Sequence, residues 1–290
     1  MTRNVMLHSA VGDSIVAFRS VINLSEKYKD DNINLIYNGK IDEFMRYWVW
    51  PNNINLMPLN QTCHDFDNKH KFPYQSEDQS IVESFEQRHG NSYDYRPAFV
   101  DYVPENNLQG IIPNKAPLLL GLGDYVVIQP MSTANPWYLG DKLVRRCPEE
   151  DVDKYQKFLL NLIDEILLYT DKSIALVGNY EDSQYLPAIK AVSSHQRCFN
   201  LMTHLSIEEL CDTIKHSYAV FGLSSCCIHI GNYIFDKPVI SWRMTEPLTD
   251  IFDNFLNKEK SKNIGRPWEK DNKFYIDFLK EQVDTSQPAK

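Results

Sequence analysis

The sequence predicts an α/β protein of two domains, each a parallel β-sheet covered by helices, that face each other across a cleft. Short apolar segments alternate with amphipathic segments of helical spacing in both halves, which is the order that builds parallel sheets. A proline-punctuated stretch separates the halves, and the length of 290 residues suits about two domains. We expect domains at 1–115 and 116–250, and a helical tail at 251–290 that packs back on the N-terminal domain.

The first half is expected to hold two strands, each followed by a helix. In order, these are a strand at Asn4–Leu7, a helix that opens after the turn Val11–Ser14, a strand at Ile33–Tyr37, and a helix through Phe44, Met45 and Trp48 that stops at Pro51. Asp13 fits the N-cap of the first helix. The turn between the first strand and this helix is a position at which such folds bind ligands.

From about residue 60 to 122 the chain becomes polar, aromatic and irregular. We expect a helix at Gln79–Arg88, and the four prolines from Pro97 to Pro117 mark a connector. Aromatic residues make up 12% of the chain, and several in this stretch offer flat surfaces on which sugar rings could stack, unless they close the N-terminal core. They are Phe72, Tyr74, Tyr93, Tyr95 and Tyr102.

The second half repeats the alternation of strands and helices. The expected strands are Tyr125–Gln129, Ile174–Val177, Ala219–Phe221 and, as the last one, Val239–Trp242. The expected helices are Glu149–Tyr169, a helix from the capping box Ser206–Glu209 to Lys215, and one that follows Gly222–Ser225. In the tail, two amphipathic helices are expected on either side of a Lys-rich break that contains Gly265–Pro267.

Charge and cysteine content narrow the classes of partner. The net charge of −9 provides no summed positive field, so nucleic acid is disfavoured as a partner unless local basic residues cluster. The six cysteines have neither disulfide-framework nor zinc-site spacing, which favours reduced thiols in the cytoplasm. The N-terminal apolar stretch is too short and too interrupted for a signal peptide, and without a run of about 20 apolar residues no membrane span is expected. Oligomeric state is left open.

The motifs that are missing exclude several enzyme classes. Neither the dinucleotide Gly-x-Gly-x-x-Gly, the P-loop, the hydrolase Gly-x-Ser-x-Gly nor His-Glu-x-x-His occurs, and no metal site is predicted. What remains is a set of serine-rich turns between strands and helices. Ser224 and Ser225 form one that suits a phosphate or diphosphate, although ordinary capping of the helix by serine is the alternative. His229 follows Ser225 by one helical turn and lies on the same face.

Three groups of residues follow this turn in a fixed order: His229, Lys237-Pro238 and Thr245-Glu246-Pro247. In that order and spacing, Val220–Pro247 resembles the donor-binding region of the heptosyltransferase-like glycosyltransferases, glycosyltransferase family nine. Further matches to the family are the Gly12-Asp13 turn, the strand and loop Ile128–Thr133, and Val177-Gly178 followed by Glu181.

The resemblance implies a GT-B fold of two Rossmann-like domains, with a nucleotide-activated sugar bound by the C-terminal half. A saccharide or glycolipid acceptor would bind the N-terminal half, and transfer would invert the anomeric centre without a metal or other cofactor. Asp13 matches the general base, with Gly12 and Ser14 on the acceptor side. The matching donor-binding residues are Ser132, Thr133, Glu181, Ser224, Ser225, His229, Thr245 and Glu246.

The chain also departs from the family pattern. Ser224 replaces an acid, Cys226 replaces a glycine, and the lysine that usually follows the phosphate loop is missing. Lys142, Arg145 and Arg146 are candidates for the lost charge. Three alternatives therefore stay open: a nucleotide-sugar-binding protein without transferase activity, a GT-B-like epimerase, and a transferase that acts on a hydroxylated nucleobase in DNA.

Overall fold

A computed structural model of the chain describes residues 2–7, 15, 21–22, 24–59, 123–131, 137–139, 142–144, 149–178, 195–202, 205–243 and 260–285. The chain divides into two compact units, and the main division falls between Asn114 and Lys115. Unit 1 is Met1–Asn114 with Asn232–Asp236 and Thr249–Asn257, and unit 2 is Lys115–Gly231 with Lys237–Leu248 and Lys258–Lys290.

The described part of unit 1 contains a parallel sheet of three strands in the order β1-β2-β3. Its elements are β1 (Thr2–Met6), β2 (Asn32–Asn38), a 3-10 turn (Gly39–Ile41), α1 (Asp42–Tyr47) and β3 (Ile54–Leu59). Residues 24–27 are helical, and the apolar residues Ile15, Val21, Ile22 and Leu24, which follow helical spacing, are buried. The expected strands and helices of this half are confirmed where they are described, whereas β3 was not predicted.

Among its described residues, unit 2 contains a parallel sheet of six strands in the order β11-β10-β9-β4-β7-β8. Its strands are β4 (Tyr125–Gln129), β7 (Ser173–Leu176), β8 (Cys198–Asn200), β9 (Ala219–Leu223), β10 (Val239–Arg243) and β11 (Ser261–Gly265). A separate antiparallel pair consists of β5 (Trp137–Leu139) and β6 (Lys142–Val144). All residues of β4 and of β9 are buried, as expected for the central strands of a parallel sheet.

Helices cover both faces of this sheet. They are α2 (Glu149–Tyr169), α3 (Ile207–His216), α4 (Cys226–His229), which continues into a π-helix (Ile230–Ile234), and α5 (Asn272–Thr285). On one face, α2 and α5 share a core with the sheet in which the rings of Phe158 and Trp242 lie 5.3 Å apart and those of Phe221 and Phe278 lie 5.8 Å apart. On the other face, α4 lies against β9 and β10. In unit 2, aromatic residues thus serve core packing.

The helices and strands that local sequence patterns predict for unit 2 are largely confirmed. Helix α2 has the predicted bounds, and α3 begins at the predicted capping box, in which Ser206 Oγ accepts from the Glu209 N–H and Glu209 accepts from the Ser206 N–H. The expected strands at 125–129, 174–177, 219–221 and 239–242 match β4, β7, β9 and β10 within two residues.

The tail requires corrections. Val239–Trp242 is not the last strand, because β11 follows it and pairs with β10, where a Lys-rich break was expected. The expectation that the tail packs back on the N-terminal domain is wrong for α5, since its buried residues Tyr275, Ile276, Phe278 and Leu279 belong to the core of unit 2. The expected helices at 79–88 and near 248–256 lie outside the described residues.

Within the described ranges, none of the helices has both the length and the apolar character required to cross a lipid bilayer.

Candidate functional site

The chain reverses its direction of winding at the centre of the unit 2 sheet. From β4 it proceeds outward through β7 and β8, then crosses to β9 on the other side of β4 and continues through β10 and β11. Strands β4 and β9 are parallel neighbours, with Ile128 opposite Phe221 and Gln129 opposite Gly222. In open α/β sheets, ligands bind in the crevice beyond the carboxyl ends of the two strands at such a switch point.

Close approach of the two backbones at this point depends on Gly222. A Cβ on Gly222 would lie 2.5 Å from the backbone carbonyl oxygen of Gln129 and 2.9 Å from its Cβ. Real Cβ atoms do not approach this closely, so a residue without a side chain is needed at this penultimate position of β9.

The predicted serine turn directly follows β9 and therefore lies at this switch point. The Ser224 N–H donates to the Trp242 carbonyl at 3.0 Å, which continues the pairing of β9 with β10 for one more residue. Ser225 occupies the N-cap position of α4 in an extended conformation. Both serines are partly exposed, so a ligand can reach them.

The side chain of Ser225 does not cap α4, although helix capping was the alternative interpretation of this turn. The hydroxyl makes no capping hydrogen bond; it accepts from Gln129 Nε2 at 2.9 Å and donates to Cys226 Sγ at 3.8 Å. The structure thus joins the ends of β4 and β9 through side chains. Gln129 was not proposed as a site residue, although a polar residue that ends the apolar run Tyr125–Ile128 is the signal for one.

His229 lies one helical turn after Ser225, as predicted, and its backbone N–H donates to the Ser225 backbone carbonyl at 3.2 Å. The side chain is buried, with 5% exposed. Contact of this imidazole with a ligand therefore stays a prediction. Directly after His229 the helix widens into its π-helical segment, a distortion that occurs frequently at functional sites.

The other proposed site residues lie outside the described residues. On the donor side these are Ser132, Thr133, Glu181, Thr245 and Glu246, and on the acceptor side Gly12, Asp13 and Ser14. By chain order, Ser132 and Thr133 follow the carboxyl end of β4 closely. Their roles remain predictions.

The adjacent thiols of Cys226 and Cys227 follow Ser225, and each shifts the pKa of the other. A hydrogen bond from the Cys227 thiol, together with a smaller contribution from the Ser225 hydroxyl, lowers the pKa of Cys226 to about 7 against the opposing effect of burial. The same bond, followed by burial, raises the pKa of Cys227. Cys226 is partly exposed whereas Cys227 and Cys211 are buried, and the four described cysteines, which include Cys198, are free thiols.

We expect Cys226 to be alkylated by iodoacetamide about fivefold faster at pH 7 than an ordinary thiol, because more of it is thiolate. Its rate should rise with pH and level off above about pH 7, the pKa of Cys226. Peptide mass spectrometry after timed labelling measures the rate at each cysteine. Cys226→Ser should remove the fast phase, and a Cys226 rate that still climbs steeply above pH 8 would contradict the lowered pKa.

Comparison with known proteins supports the fold. No protein-family model and no curated protein matches the sequence. Among solved structures, the chain is similar to the ADP-heptose lipopolysaccharide heptosyltransferase II of E. coli, with 11% identity, a TM-score of 0.61, and coverage of 99% of this chain and 100% of that one. It is similar to E. coli heptosyltransferase WaaC with ADP, with 11% identity, a TM-score of 0.59 and coverage of 99% of both chains.

A third similar structure is that of a family 9 glycosyl transferase from Veillonella parvula DSM 2008, with 9% identity, a TM-score of 0.56 and coverage of 98% of both chains. At such identities the likeness shows the fold alone. The resemblance to heptosyltransferase-like glycosyltransferases is confirmed at that level: the chain has the GT-B type of α/β fold, with a parallel sheet in each unit.

Proposed function

We propose that this chain is a glycosyltransferase that moves a sugar from a nucleotide-activated donor to a hydroxyl of a saccharide or glycolipid acceptor. One observation carries the proposal: the partly exposed Ser224-Ser225 turn follows β9 at the switch point of the unit 2 sheet. The fold is shared with enzymes named for ADP-heptose transfer, which supports a nucleoside diphosphate sugar as the donor.

The proposed reaction is an in-line displacement at the anomeric carbon of the donor, with inversion. The acceptor oxygen forms a bond to this carbon while the bond from the carbon to the diphosphate oxygen breaks. Asp13 takes the proton of the acceptor hydroxyl as general base, with Gly12 and Ser14 beside it. The resemblance to family nine supports these roles, and supports transfer without a metal or other cofactor.

The leaving diphosphate gains negative charge, so its site must supply hydrogen-bond donors and positive charge. Ser225 is suited to this task, because Gln129 Nε2 donates to its oxygen, and its proton, which it gives to Cys226 Sγ at 3.8 Å in this structure, can turn to a phosphate oxygen. Ser132, Thr133, Ser224 and His229 would add donors, and Lys142, Arg145 or Arg146 the positive charge. Glu246 would lie near the nucleoside, with Glu181 and Thr245 completing the donor site.

Cytoplasmic location is part of the proposal, in keeping with the cysteine pattern.

Replacing Ser225 with Ala should weaken binding of ADP-heptose about tenfold, because a hydrogen bond to a charged phosphate is worth about 1.5 kcal/mol or more. Isothermal titration calorimetry with ADP, UDP and ADP-heptose measures this directly. Ser206→Ala is the matched control: it removes the capping hydroxyl of α3 in the same unit, so it should lower stability and leave donor affinity unchanged.

Product analysis separates transfer from the alternatives. A transferase releases nucleoside diphosphate faster when a saccharide acceptor is present. Binding without turnover would instead favour a nucleotide-sugar-binding protein, which the replacements at Ser224 and Cys226 make the second candidate. If none of the nucleotides or nucleotide sugars binds, the proposal is wrong.

A further inference from the structure

Gln129 is a buried amide at the carboxyl end of β4. Only 5% of the residue is exposed, and its Nε2 donates to Ser225 Oγ at 2.9 Å. Its Oε1 is also buried and accepts no hydrogen bond from any group in the described part of the chain. Because β4 and β9 flank the switch point, this amide lies beside the proposed donor site.

A buried amide oxygen without a partner is costly, about 1–3 kcal/mol, and most such groups in folded proteins are satisfied. The cost is understandable where a ligand supplies the partner. With Nε2 held by its hydrogen bond to Ser225 Oγ at 2.9 Å, the amide oxygen is left for a ligand.

The chemistry of the atom restricts which part of a donor it can bind. An amide oxygen only accepts hydrogen bonds, and the oxygens of a nucleoside diphosphate carry almost no protons at neutral pH, so the two repel each other. The partner must be an O–H or N–H group. In a nucleotide sugar, the hydroxyl groups are those of the transferred sugar and of the ribose.

We propose that Gln129 is a donor-specificity residue whose amide nitrogen fixes the Ser225 hydroxyl for the diphosphate while its amide oxygen accepts a hydrogen bond from a hydroxyl of the sugar nucleotide. The inference rests on the proposed function, because it assumes that the turn at Ser225 holds the donor. The amide oxygen of Gln129 would recognise a hydroxyl group of the donor, whereas the rest of the proposed site binds the negatively charged diphosphate.

A double-mutant cycle separates this contact from an effect exerted through Ser225. Dissociation constants for ADP-heptose and ADP are measured for the wild type, Gln129→Met, Ser225→Ala and the double variant. We expect Gln129→Met to weaken ADP-heptose binding about tenfold in the wild-type background, and to cause a smaller loss, from the amide oxygen alone, in the Ser225→Ala background. In the Ser225→Ala background, where the effect through Ser225 is already lost, equal losses for ADP and ADP-heptose would identify a ribose hydroxyl, and a loss confined to ADP-heptose would identify a sugar hydroxyl.

The inference is overturned if Gln129→Met binds ADP-heptose as the wild type does, or if its effect vanishes in the Ser225→Ala background. Wild-type protein that binds neither ADP, UDP nor ADP-heptose would instead overturn the proposed function. Gln282→Met, which removes another buried glutamine amide in unit 2, controls for loss of stability and should bind normally. Should Gln129→Met not fold, Gln129→Glu keeps the side-chain length; normal ADP affinity in that variant would also overturn the inference.

Discussion

Replacing Asp13 with Asn is expected to lower turnover about a thousandfold and to leave donor affinity within about twofold of the wild type. A positioned general base contributes roughly 10²–10⁴-fold to such a reaction, and an amide cannot take the acceptor proton. Asparagine retains a side-chain oxygen that can cap a helix, so folding should change little. Turnover is measured with saturating donor and acceptor, and donor affinity by calorimetry on the same preparation.

Asp42→Asn is the matched control for this variant. Asp42 lies in the first turn of α1 in unit 1, where it accepts hydrogen bonds from Tyr37 Oη at 2.6 Å and Arg46 Nε at 2.8 Å. These contacts involve only β2 and α1 of unit 1, so we expect a modest loss of stability and unchanged turnover. Near-normal turnover in Asp13→Asn would leave Asp13 as a helix cap and remove it from the mechanism.

The central elements were predictable because their signals are local. Strand β4 and the first three residues of β9 were found from short apolar runs, since both faces of a central strand are buried. Helix α2 was found from its apolar stripe, and α3 from the reciprocal hydrogen bonds of Ser206 and Glu209, which involve residues three positions apart. In each case, neighbours in the sequence determine the structure.

Three of the missed strands, β3, β8 and β11, lie at the edges of the described parallel sheets, and the separate pair β5–β6 was missed as well. Strand β11 pairs only with β10, and of its residues Ser-Lys-Asn-Ile-Gly only Ser261 and Ile264 are buried, so it carries no apolar run. Strand β3 pairs only with β2, and Pro58 interrupts its pattern. An edge strand is held by backbone hydrogen bonds to a distant segment, and this pairing leaves a weak mark on the composition of the strand.

In the candidate site, too, features set by neighbouring residues were predicted, whereas contacts between distant residues were not. The position of Ser225 after β9 followed from its place between a strand and a helix. Its hydrogen bond with Gln129 joins residues 96 positions apart, so it depends on the adjacency of β4 and β9. Sequence therefore located the turn, whereas the order of the strands identified what its hydroxyl contacts.

Gly222→Ala is expected to reduce the free energy of unfolding of unit 2 by about 3 kcal/mol, the upper range for overpacking a well-packed interior. The added methyl group would overlap the Gln129 carbonyl oxygen, 2.5 Å from the Cβ position, and backbone cannot rotate away as a side chain does. Relief requires β4 and β9 to separate at their carboxyl ends, which also stretches the contact of Gln129 with Ser225. Urea denaturation followed by the fluorescence of the tryptophans, including the buried Trp242, measures the change.

Gly123→Ala separates steric overlap from backbone strain. Gly123 has a φ of +61°, which disfavours alanine, but a Cβ there would meet no atom within 4 Å. It should therefore cost only about 1 kcal/mol, the penalty of the left-handed conformation. If the free energy of unfolding falls by the same small amount in both variants, the strands do not approach as closely as the register of Gln129 with Gly222 requires. A larger loss in Gly222→Ala, accompanied by weaker ADP-heptose binding, would tie the packing of the two strands to the geometry of the donor site.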